Sequence, residues 1–170
     1  MRRSSIIVIA LLAAACQAQP REARLRDSLV DPHPRSGDAA AAQGRQRIEF
    51  LAADSSPYPF SPAVRAGEFL FLSGQIGARN ENGTMKLVPG GVEAETRQTL
   101  DNIKEILTRN GSSLDRVVKC TVMIADMADW PRINTIYASY FPGPKPARSA
   151  LGANGLALGA RVEIECIAAV

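Results

Sequence analysis

The segment Arg161-Val162-Glu163-Ile164-Glu165-Cys166-Ile167 places the tightest constraint on how this chain can fold. Val162, Ile164, Cys166 and Ala168 alternate with Glu163, Glu165, Ile167 and Ala169, the period of a strand with one wholly apolar face. Such a face must be covered by another layer. Upstream, Pro146-Ala147-Arg148-Ser149-Ala150 reads as a second strand, set between Pro-rich turns and the Gly-rich linker 152–160. An arginine and a glutamate on neighbouring strands have two readings. They form a surface pair, as charges on strands commonly do. Or they face one polar pocket, where the arginine fork grips a carboxylate and the glutamate orients or deprotonates a water.

The rest of the domain is legible from its start near Arg47. Arg47-Ile48-Glu49-Phe50-Leu51 alternates as an outer strand. Ser56-Pro57-Tyr58-Pro59-Phe60-Ser61-Pro62 holds three prolines and reads as an ordered loop. Ala66-Gly67 then turns the chain into a strand over 68–76 that is apolar on both faces, as in a covered sheet or a subunit contact. Ser73-Gly74 at its end offers a hydroxyl and bare backbone, or simply a bulge. Asn80-Glu81-Asn82-Gly83 is a turn. Thr96, Leu100, Ile103 and Leu107 share one face of a helix over about 92–109, stopped by Asn110-Gly111. A strand follows over 116–124, with Val118, Cys120, Val122 and Ile124 on one face. Asp126 and Asp129 bracket the turn into a helix over about 130–140. Its stripe is Trp130, Ile133, Ile136, Tyr137 and Tyr140, read as core, and Pro131 falls in the first turn. The order is β-β-α-β-α-β-β: an α+β fold with two helices on one face of a mixed sheet. Apolar residues on the sheet's other side call for a homo-oligomer.

Outside this domain, Arg2 and Arg3 precede the apolar run Ile6–Ala15, and Cys16 follows. That pattern is a secretory signal peptide over 1–16, too short for a comfortable membrane span. Leu12-Ala13-Ala14-Ala15-Cys16 resembles a lipobox, which makes Cys16 a lipidated first residue. The alternative is ordinary cleavage near Ala15 or Ala18. Lipidation places the protein in the periplasm, tethered to a membrane without spanning it. Residues 17–46, rich in Ala, Arg, Gln, Pro and Asp, read as a flexible linker, and 47–170 as one domain.

The formal net charge of +3 overstates the basic character, because residues 47–170 hold 13 Lys and Arg against 13 Asp and Glu. No basic stripe for nucleic acid is present. The one histidine, His33, lies in the linker, which excludes a His-based catalyst or a His-ligated metal in the domain. Cys120 and Cys166 fall on the apolar parity of their strands and read as buried free thiols, with a disulfide the alternative in an exported protein.

Six pieces occur in fixed order: Phe71-Leu72-Ser73-Gly74-Gln75-Ile76, Thr99-Leu100-Asp101-Asn102-Ile103-Lys104, Val118-Lys119-Cys120-Thr121-Val122, Asn134-Thr135-Ile136-Tyr137, Pro146-Ala147-Arg148-Ser149 and Val162-Glu163-Ile164-Glu165. Together they resemble the RidA/YjgF family of reactive-intermediate deaminases over residues 47–170. The resemblance implies a chorismate-mutase-like fold and a homotrimer with ligand clefts between subunits. It implies hydrolysis of small imines and enamines, such as 2-aminoacrylate and 2-iminopropanoate, to a 2-keto acid and ammonia, with neither cofactor nor metal. Arg148 matches the arginine that grips the substrate carboxylate, and Glu163 the glutamate that orients water. Ser73, Gly74 and Asn134 match cleft positions. Phe60 stands where the archetype has tyrosine, and Ala150 where it has cysteine. The export signal removes the protein from cytoplasmic aminoacrylate, so a small-carboxylate-binding or interaction module on the same fold is the competing reading. An RNA-cleaving role, attached to some relatives, is the least compatible with a neutral domain.

Overall fold

The computed structural model describes residues 47–51 and 58–170. The leader, Cys16, the linker and residues 52–57, which include the first two of the Pro-rich loop, lie outside the described residues. In chain order the elements are β1 (Ile48–Leu51), β2 (Ala63–Ala66), β3 (Phe69–Leu72), β4 (Gln75–Ile76), β5 (Ala78–Glu81), β6 (Thr84–Leu87), α1 (Gly91–Arg109), β7 (Val117–Ile124), α2 (Trp130–Tyr140), β8 (Ala147–Gly152) and β9 (Val162–Ala169). Every expected element is present, within the expected α+β order. Two features are additional. Ala63–Ala66 forms β2, too short and small-residued to signal a strand. The polar segments flanking the Asn80–Gly83 turn pair as the β5–β6 hairpin. The strand expected over 68–76 is also interrupted, because Ser73-Gly74 separates β3 from β4.

The main sheet runs β1-β2-β3-β9-β7-β8, with β4 also pairing β9. β7 and β8 are parallel, joined through α2, and the remaining pairs are antiparallel. The alternating C-terminal segment therefore lies mid-sheet, as its apolar face demands. Val162, Ile164, Cys166 and Ala168 are all buried, with Leu70, Val122 and Ile124 beside them. Thr96, Leu100, Ile103 and Leu107 of α1 are buried as their spacing implies, as are Ile133, Ile136 and Tyr137 of α2. The two buried threonines of α1 cost little, since Thr96 Oγ1 donates to Val92 O at 2.6 Å and Thr99 Oγ1 to Glu95 O at 2.8 Å. Asn110-Gly111 ends α1, with Ser112 N donating back to Leu107 O at 2.9 Å.

A clamp fixes the entry to β9. Arg161 Nε donates to the buried carboxylate of Asp129 at 2.7 Å, and Arg161 N donates to Glu95 Oε2 at 2.8 Å. A residue of α1 and the residue that caps α2 thus hold the position just before the strand carrying Glu163.

Three sequence expectations change. Val118 does not join Cys120 in the core: a bulge between Val117 and Lys119 buries Val117 (7% exposed) and turns Val118 out (44%). Of the two readings of β3, the sheet covered on both sides gives way and the subunit contact remains, for within one protomer Leu70 and Leu72 are buried while Phe69 and Phe71 are 43% and 44% exposed. And Cys120 and Cys166 are not free thiols. They are direct register partners on β7 and β9, their Cα atoms 4.1 Å apart, and form a disulfide. Parity along each strand was readable, but the register of two strands 46 residues apart was not.

Candidate active site

The candidate residues form two clusters. The first gathers around Ser73-Gly74. Ser73 Oγ donates to Ser61 O at 2.7 Å and Ser73 N to Pro62 O at 3.0 Å, which ties the end of the Pro-rich loop to the end of β3. Phe60 beside this tie is exposed and stacks on Tyr58, ring centroids 5.5 Å apart. Gln75 Nε2 donates to the carbonyls of Ser73 and Gly74, each at 3.1 Å.

Glu163 lies over Gly74. A Cβ built on Gly74 would stand 2.0 Å from Glu163 Oε1 and 2.9 Å from its Cδ. A side chain at this position would push the flexible Glu163 carboxylate aside, so the glycine keeps that carboxylate where it lies, and no left-handed backbone angle calls for it. Glu163 is half-buried, and burial pushes its pKa above the ordinary glutamate value, with the neighbouring Glu165 adding to the shift. Its carboxylate has no ion pair or hydrogen bond among the described residues.

The second cluster gathers around Arg148 on β8. The guanidinium carbon lies 4.7 Å from the Tyr137 ring centroid and 5.8 Å from that of Trp130. No carboxylate among the described residues pairs with it. Asn134, half-buried, falls between these two aromatic residues at helical spacing of four and three, hence on the same face of α2. Ala150 follows Arg148 on the same side of β8 and packs against the core. Tyr137 and Trp130 had read simply as core stripe. The signal that marks them otherwise is their shared face with Asn134.

One chain does not bring the two clusters together. β8 and β9 are not neighbours, because β7 runs between them. Arg148 is in register with Cys120, on the helix-covered face, whereas Glu163 is in register with Met123 and Ile76, on the open face. The expected facing pair is therefore split across the sheet within a protomer. A depression of about 160 Å³ on the open face is lined by Phe71, Lys119, Thr121, Glu165 and Ile167 among others, and includes neither Arg148 nor Glu163.

The Endoribonuclease L-PSP family model matches residues 52–170. The chain belongs to the RidA/YjgF family. Reactive Intermediate Deaminase A of Arabidopsis thaliana, a chloroplastic protein, is 47% identical over 130 residues, covering 76% of this chain and 68% of the relative. The mouse 2-iminobutanoate/2-iminopropanoate deaminase is 44% identical over 124 residues, covering 73% of this chain and 90% of the relative. Among solved structures, YyfA of the conserved Rid family from Yersinia pestis superposes with a TM-score of 0.67 at 38% identity, covering 73% of this chain and all of that one. The Escherichia coli YjgF product gives 0.64 at 32% identity, covering 71% and 98%. The RidA/YjgF fold thus accounts for the two helices and the mixed sheet.

Proposed function

We propose that this protein hydrolyses small 2-imino acids and their enamine tautomers, such as 2-aminoacrylate, to the 2-keto acid and ammonia. The observation that carries this reading is the state of Arg148. It is a half-buried guanidinium set against two rings, with no anion of its own among the described residues. A substrate carboxylate completes it through a bidentate grip, which fixes the position of C2. The iminium carbon is already electrophilic. Water oxygen bonds to C2 as the C=N π pair moves to nitrogen, and Glu163 takes a water proton. Glu163 returns that proton to nitrogen. The C–N bond then breaks, ammonia leaves, and the hydroxyl closes to a carbonyl as it loses its proton to ammonia. Burial makes Glu163 a stronger base than an exposed carboxylate. The names of the mouse and Arabidopsis relatives support the same chemistry.

Since Arg148 and Glu163 lie on opposite faces of one sheet, the working site takes Arg148, Asn134 and Ala150 from one copy. Glu163, Ser73, Gly74 and Phe60 come from the next. A contact joining two different surfaces repeats by rotation into a ring. Three copies is the number that the family resemblance implies, and the exposed Phe69 and Phe71 supply an apolar face for the contact. Complementation tests this. Arg148→Met and Glu163→Gln chains are each expected to be inactive on freshly generated 2-aminoacrylate. Mixed in equal amounts and reassembled, they pair an intact Arg148 with an intact Glu163 at roughly a quarter of the sites. Keto acid should therefore return to about a quarter of the wild-type rate. No recovery in a confirmed mixed assembly rejects the shared site.

One observation favours the binding-module reading: Phe60 brings no hydroxyl and Ala150 no thiol to the cleft. Pyruvate binding without keto-acid formation from the imine would select it. The neutral domain charge gives an RNA-cleaving role no phosphate-binding surface to work with.

We also infer that the protein is exported and held at a membrane by a lipid on Cys16. The charged and apolar leader supports this, and so does the Cys120–Cys166 disulfide, a bond at home in an oxidising compartment. Cys16→Ser is expected to move the protein from the membrane to the soluble fraction. If the variant stays with the membrane, the lipid is not the tether.

A further inference from the structure

We infer that Trp130 and Tyr137 are positioning residues, a two-ring cradle that holds the Arg148 guanidinium ready to receive a carboxylate. The inference rests on the deaminase reading only in taking that carboxylate to be the substrate's.

Four observations converge on the cradle. First, the guanidinium lies within reach of both ring faces, at 4.7 Å and 5.8 Å, inside the range over which a cation is drawn to an aromatic face. Second, it has no hydrogen bond or ion pair among the described residues, so the rings are the contacts that orient it. Third, the Tyr137 ring is itself fixed. It is 5% exposed and packs on Phe141 with centroids 4.8 Å apart. Fourth, the Tyr137 hydroxyl is buried with no hydrogen-bond partner among the described residues, and burial pushes its pKa up to about 12. A buried hydroxyl without a partner costs stability rather than adding to it, which leaves the ring as the useful part of this side chain.

The physical benefit is pre-organisation. A free arginine must surrender its rotamer freedom when it takes a bidentate partner. An acidic side chain could hold it instead, but would compete with the substrate for the same fork. Aromatic faces orient the guanidinium while leaving its in-plane N–H groups unclaimed. Trp130 is also the chain's one tryptophan, so its emission reports directly on what happens at Arg148.

The experiment uses the purified chain with pyruvate as probe, binding measured by calorimetry and by tryptophan emission, and turnover by keto-acid release from 2-aminoacrylate. Trp130→Leu and Tyr137→Leu are each expected to raise the pyruvate Kd and the imine KM roughly ten-fold, with kcat changed far less. Trp130→Phe and Tyr137→Phe, which keep a ring, should recover most of that affinity. Saturating pyruvate should change the wild-type emission, and should not change it in Arg148→Met. Trp130 is only half-buried, so its leucine variant remains informative should Tyr137→Leu fail to fold. Leucine variants that fold and bind pyruvate as wild type does overturn the cradle. So do phenylalanine variants that lose as much as the leucine ones, since the hydroxyl or the indole N–H would then be the operative group. Pyruvate binding that follows the expected pattern without any imine turnover upholds the cradle and defeats the deaminase reading instead.

Discussion

Arg148→Met is expected to lower kcat/KM for 2-aminoacrylate by about a hundred- to a thousand-fold while leaving the melting temperature within a few degrees of wild type. Truncating one partner of a desolvated, hydrogen-bonded charge pair costs about 2–5 kcal/mol, and about 1.4 kcal/mol is a factor of ten. The protomer should tolerate the change. Arg148 supports no ion pair among the described residues, and a flexible thioether lies well against the Trp130 and Tyr137 rings. Arg148→Lys should rescue little, because an ammonium is a point charge without the planar fork. Steady-state kinetics with parallel thermal melts decide the matter. A methionine variant that retains a tenth of wild-type kcat/KM, or one that simply unfolds, is incompatible with the role assigned here.

The second large effect falls on stability. Replacing Cys120 and Cys166 together by alanine is expected to cost roughly 4 kcal/mol in urea unfolding at fixed protein concentration. A cross-link between residues 46 apart removes chain entropy from the unfolded state by about that amount. The location adds local consequence. The bond joins β7 to β9, the two strands that separate Arg148's strand from the Ser73-Gly74 end of the sheet. Both sulfurs are buried beneath the helices, so reductant should act only as the domain opens, and slowly. A double variant within about 1 kcal/mol of wild type shows instead that strand pairing alone holds this register.

Where hydrophobic period and covering layer agree, the sequence was sufficient. The apolar stripe of α1 and the alternation of β9 are both buried as their spacing requires. The failures share a cause. Periodicity reports the side of an element on which a residue lies, but not which strands become neighbours or in what register. Cys120 and Cys166 could thus be placed inside without being placed opposite each other. Arg148 and Glu163 could be singled out by residue type without revealing that β7 runs between them. A single inserted residue, the bulge at Val118, reversed one inside-outside assignment. Trp130 and Tyr137 read as packing because an aromatic stripe on a helix nearly always is; only the folded structure sets them against a cation with no other partner among the described residues.

The contact between Gly74 and Glu163 bears on how the proposed cleft can change over time. A methyl group at position 74 meets the far end of the Glu163 side chain, so it is accommodated only by swinging the carboxylate off its place. Retuning the proposed cleft for a larger or differently shaped substrate without displacing Glu163 falls to the small side chain of Ala150, brought by the other copy, and to the ring of Phe60 on the same side as Gly74. Those are the two places where the family resemblance has this chain depart from the archetype.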